Sequence, residues 1–129
     1  MLNSNNSILD RLLQIRRGVK PGGGWYNHKP LLLLALIDRM EEGVIEENAF
    51  PVDERLNELF RQRWQWLEPD SNAGNITRPL HHLSKDRLWC LVDHNDQEIT
   101  DFIGSFNTLR DRVAYGQLDP ELFAYLQEP

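Results

Sequence analysis

Two stretches of this chain carry residue types that grip anions. In the first, Asn27, His28 and Lys29 stand directly before Pro30 and the apolar run Leu31-Leu32-Leu33-Leu34-Ala35-Leu36-Ile37. Proline suits the first position of a helix, where its missing N–H has no partner anyway. The leucines that follow make a helix apolar on every side, and such a helix is buried. At its N-terminus the free backbone N–H groups and the helix dipole favour an anion, and His28 and Lys29 add cationic side chains. The chemistry this spacing favours is capture of a phosphate. The alternative is that His28 caps the helix and Lys29 is solvated.

The second stretch is Thr77-Arg78-Pro79-Leu80-His81-His82-Leu83, followed by Lys85. Read as a strand, its proline confines it to an edge or a strand start, so Arg78 and Pro79 belong at an exposed rim. His81 and His82 then point to opposite faces, one satisfied inside by a backbone carbonyl and the other free to meet a partner. Arg16 and Arg17 close the first helix, where cations complement the dipole or reach DNA. Trp25 and Tyr26, beside Gly22-Gly23-Gly24, either stack on a sugar or base or close a core edge.

Catalytic signals are poor. The four histidines and Cys90 show neither Cys-x-x-Cys nor His-Glu-x-x-His spacing. The glycine triplet lacks the Lys-Ser/Thr of a phosphate loop, and His94-Asn95 lacks the second histidine of a His-Asn-His nuclease. These absences point to a non-catalytic binding domain with no metal and no cofactor.

The elements that must position these residues follow from periodicity and punctuation. Helices are expected over 7–17, from Pro30 to Glu42, after an Asp53 cap, over 105–113, and from Asp119-Pro120-Glu121 to Leu126. Segments 76–83 and 87–92 read as two short strands turning at Ser84-Lys85-Asp86. The expected fold is α+β and mainly helical, with about five helices around a small antiparallel β-hairpin, winged-helix-like. The 129 residues, 40% of them hydrophobic, suit one domain over 1–129. A single cysteine fits a reducing compartment, and no run approaches a membrane span or signal peptide, so a cytoplasmic location is expected.

The net charge of −6 argues against a nucleic-acid partner, but its distribution is uneven. Residues 1–30 hold five basic side chains against one acidic, and residues 61–92 hold five against three, with His81 and His82 besides. The intervening and final segments are acidic. The two basic segments can meet as one face, or both can simply be solvated.

The run from His28 to Leu36 resembles the His-Lys-Pro-Leu-Leu-Leu-Leu-Ala-Leu hallmark of the sulfur-binding domain of phosphorothioate-dependent, McrA-like type IV restriction endonucleases. Further on, Arg78-Pro79-Leu80-His81-His82-Leu83 and Arg87-Leu88-Trp89 are similar to that family's aromatic-Pro-Phe-Trp-x-Leu and Gly-Leu-Trp segments. Leu109-Arg110, Ala114-Tyr115-Gly116-Gln117-Leu118 and Asp119-Pro120-Glu121-Leu122 resemble its closing Leu-Arg, glycine-rich turn and short helix. The resemblance implies recognition of double-stranded DNA in which sulfur replaces one non-bridging phosphate oxygen. It also implies a fused or associated His-Asn-His nuclease domain outside this chain. Carried over by position, Pro79 floors an apolar sulfur pocket, Arg78 stands where the family has an aromatic, and Tyr115 stands where it has an arginine. Aromatic and guanidinium would then have exchanged sides of one pocket. DNA contacts would come from Arg16, Arg17, Lys20, Tyr26, Asn27, His28, Lys29, His81, His82 and Lys85. Two rivals belong to other classes: a protein-interaction module working through its acidic surface, and a winged-helix regulator of unmodified operator DNA.

Overall fold

The computed structural model describes residues 27–71 and 74–127. Among them the elements run α1 (His28–Glu41), α2 (Glu54–Leu67), α3 (Thr77–Lys85), β1 (Trp89–Asp93), α4 (Phe106–Arg112), β2 (Val113–Leu118) and α5 (Pro120–Gln127). The fold is α+β and mainly helical, as expected. The expected helix over 7–17, with Arg16 and Arg17, lies outside the described residues, as do Lys20, Trp25 and Tyr26.

Leu31 N–H donates to the Asn27 carbonyl at 3.0 Å, opening α1, with Pro30 in the first turn. Leu31, Leu32, Leu33, Ala35 and Leu36 are buried because α1 packs against both α2 and α3. Gly43, at φ +80°, takes the left-handed turn past the helix end. In α2 the Asp53 carboxylate accepts from Leu56 N at 3.0 Å, and Leu56, Leu59, Phe60 and Trp64 form the buried stripe.

The strands pair antiparallel with Trp89 opposite Leu118, Leu91 opposite Gly116 and Val92 opposite Tyr115. Gly116 is required here: a Cβ at this position would lie 2.1 Å from Trp89 Cη2. Both outer edges of the ribbon are partnered. Phe50 exchanges two 2.8 Å backbone bonds with Gly116, and the Asn48 side-chain amide bonds both Leu118 N and Leu118 O. On the β1 side, Ile99 N donates to Leu91 O at 2.8 Å and Val92 bridges to Glu98. Tyr115, Val92 and Glu98 therefore form one row across the sheet, on one face.

Three sequence expectations change. Segment 76–83 is not a strand but most of α3, so Ser84-Lys85-Asp86 ends a helix rather than turning a hairpin. Pro79 falls in the first turn of α3, where no N–H is needed, and Ile76, Leu80 and Leu83 bury at helical spacing. The two strands are separated by the 94–105 loop and α4, so no contiguous wing forms. Finally, 114–118, matched to a glycine-rich turn, is the body of β2.

A candidate nucleic-acid groove

Beside α3 runs the segment 98–104, and its backbone is tied down by α3 and the residues just before it. Asn75 Oδ1 accepts from Thr77 N at 3.0 Å, while its Nδ2 donates to Gly104 O at 2.6 Å. The Thr77 hydroxyl donates to the same carbonyl at 3.4 Å. One turn on, His81 Nε2 accepts from Ile103 N at 3.0 Å. Thr77 and His81 are buried, as these bonds require. With Ile103 turned inward, Phe102 is left 57% exposed, its ring 4.9 Å from that of His81.

Between α3 and this segment lies an open groove of about 560 Å³. Arg78, His82 and Lys85 line it from the helix, and Glu98, Ile99 and Phe102 line it from the segment. Positions 78, 82 and 85 follow i, i+4, i+7 spacing, so the three cationic residue types share one helix face. All three are exposed. Arg78 and Lys85 make no hydrogen bond or ion pair with a carboxylate among the described residues, whereas other arginines do. Partial burial, reinforced by Lys85, Lys29 and Arg78, holds the His82 imidazole below its ordinary pKa. That pattern marks a locally positive surface on an acidic protein.

The α1 N-terminus is not the open phosphate ridge expected. Lys29 Nζ lies 2.7 Å from Asp86 Oδ2, with the two side chains only 13% and 10% exposed, so it ties α1 to the end of α3. His28 packs against Trp64, ring centroids 4.4 Å apart, and Asn27 serves as the backbone cap. The pocket of Arg78, Pro79 and Tyr115 is not assembled either. Pro79 is buried, and Tyr115 lies across β1 from Glu98, about two strand spacings or ~10 Å away. Of the pair expected to have exchanged sides of one pocket, Arg78 lines this groove and Tyr115 does not. His82 and Lys85 line the groove as DNA-binding candidates. His81 is the buried member of its pair, but it accepts from an N–H instead of donating to a carbonyl.

Sequence reasoning missed Glu98, Ile99 and Phe102. The signal for the cationic face was present as helical spacing from 78 to 85, once that segment is read as a helix. No protein-family model matches the chain, and comparison with curated proteins finds no match. Among the described residues no helix is long and apolar enough to cross a membrane.

Proposed function

We propose that this chain binds double-stranded DNA along the α3 groove and recognises a backbone phosphate in which sulfur replaces one non-bridging oxygen. The observation that carries the reading is an exposed aromatic, Phe102, set against Arg78 and Lys85, cations that make no ion pair among the described residues. The cations attract the backbone and release its counterions. Phe102 supplies apolar surface where the modified atom can rest. Thiophosphate sulfur is larger, softer and more weakly hydrated than oxygen, so it loses less water against apolar carbon. A phosphate oxygen in the same place loses water without regaining hydrogen bonds.

Glu98 fixes the polarity of the groove. A phosphate is repelled from it, so the backbone lies toward Arg78, His82 and Lys85, and Glu98 faces base edges, where it can accept from a cytosine amine. Discrimination through one apolar contact is worth about 1–3 kcal/mol, or roughly 10–200-fold. Contacts to neighbouring bases must add to it for a rare site to be found. A domain of this kind acts as the non-catalytic sensor of a modification-dependent restriction nuclease in the cytoplasm, with cutting assigned to a fused or associated His-Asn-His domain.

The test is a titration of matched duplexes that differ by one sulfur atom, each stereoisomer separately, at fixed salt. One stereoisomer is expected to bind at least about ten-fold better than the unmodified duplex, and Phe102→Ala to erase most of that preference. Equal affinity for all duplexes rejects sulfur recognition and leaves a regulator of ordinary DNA. A protein-interaction module is favoured by a separate observation, the adjacent exposed Trp66 (71%) and Leu67 (45%). Capture of a defined protein partner, with no DNA retained at low salt, would establish it instead.

A further inference from the structure

We infer that His81 is a positioning residue for the groove: its neutral imidazole latches the 101–104 segment to α3 and sets where Phe102 stands, and protonation releases the latch. The inference rests on the DNA reading for only one of its two readouts.

The Ile103 amide donates to His81 Nε2 at 3.0 Å. A ring nitrogen that accepts carries no proton, so the neutral ring holds its proton on Nδ1. A second proton on Nε2 would place one N–H against another, replacing the bond with a donor–donor conflict. Ile103 and His81 are each only 8% exposed, so water cannot substitute without movement. The ties from Asn75 and Thr77 hold Gly104, and Arg112 holds Asp101 at the surface with a 3.1 Å contact. Ile103 itself, next to Phe102, depends on His81.

The charged groups around the ring are Lys85, His82 and Arg78 on α3, with Asp101 and Glu98 on the segment. Burial, the largest influence, and more weakly Lys85 disfavour the imidazolium; against them a backbone contact with Ile103 and then Asp101 favour it. The outcome is a depressed pKa, so the latch is closed at neutral pH. Its contribution is full above the unfolded-state value of about 6.5 and is lost as pH falls through the lower folded value.

Hydrogen exchange on the free, full-length chain tests this, with Ile99, whose amide bonds Leu91 O, as the internal reference. From about pH 8 to about pH 5, protection of Ile103 should fall about ten-fold while that of Ile99 holds. In His81→Gln, whose amide oxygen accepts without titrating, both should hold. Unchanged Ile103 protection in the wild type, or the same fall in His81→Gln, overturns the latch.

The second readout is the ratio of affinities for sulfur-bearing and ordinary duplexes over the same pH range. Backbone cations, His82 included, act on both duplexes and cancel in the ratio. It should fall toward unity in acid for the wild type and stay level for His81→Gln. A ratio of one at every pH rejects sulfur recognition and leaves the amide measurement to judge the latch. A ratio above one that ignores pH while the Ile103 amide opens overturns the positioning of Phe102 by His81.

Discussion

On the α1–α2 side of the molecule, Arg63 grips Asp38 through two nitrogens, Arg55 reaches Glu42 and Glu58, and Arg39 reaches Glu42 and Asp53. On α3, Arg78 and Lys85 stand on one exposed face beside a groove and pair with no carboxylate among the described residues. The residue types are the same, but the first set is neutralised by the fold, and the second is the set proposed above to meet a ligand. Net charge is therefore a poor guide to partner here. The acidic excess lies elsewhere along the chain, and on the proposed reading a duplex would meet the local field of three side chains.

Lys29 is the sharpest way to break this contrast, because it lies near His82 and yet is held by Asp86. Lys29→Ala removes one member of a largely buried pair and should cost about 3 kcal/mol in a denaturant titration. The ratio of affinities for sulfur-bearing and ordinary duplexes should survive in the folded fraction. If stability is unchanged while DNA affinity drops, Lys29 belongs to the binding set and the division is misplaced.

The converse experiment uses Arg78→Ala and Lys85→Ala. Each should weaken both duplexes about ten-fold at low salt and flatten the salt dependence by about one unit, with stability within about 0.5 kcal/mol of the parent. Destabilisation without loss of binding would assign these cations to the fold.

His82 provides the smallest effect and the finest discrimination. Burial and then the surrounding cations depress its pKa in the free protein, and an approaching phosphate relieves the cationic part. Binding should take up a fraction of a proton near about pH 6, and affinity for both duplexes should rise by about two- to three-fold as pH falls. Calorimetry in buffers of different ionisation enthalpy measures this, and His82→Gln should abolish the uptake. Proton release would mean that the groove is not where the backbone lies.

The sequence was most legible where local rules agree with tertiary need. The leucine run of α1, the Asp53 cap of α2 and the Asp119 cap of α5 could each be read directly. Segment 76–83 could not, because a proline and a histidine pair invite a strand-edge reading, whereas first-turn placement of Pro79 makes the same residues helical. That one choice of period moved the site. On a strand, Arg78 and Pro79 share a rim; on a helix, Pro79 turns inward and Arg78 aligns with His82 and Lys85. Lys29 looked available because its partner is 57 residues away in sequence, a pairing that no local pattern reports. Phe102 gave no signal of its own, since its exposure is imposed by bonds to its neighbours from Asn75, Thr77 and His81.

The side-chain amide of Asn48 has a consequence beyond the fold of one molecule. A strand margin with bare N–H and C=O groups is a template for a second copy. Here Asn48 fills that role at Leu118 and Phe50 fills it at Gly116, while Gln97 and Ile99 cover the opposite margin. Through these contacts neither margin of the ribbon offers a second copy a bare template.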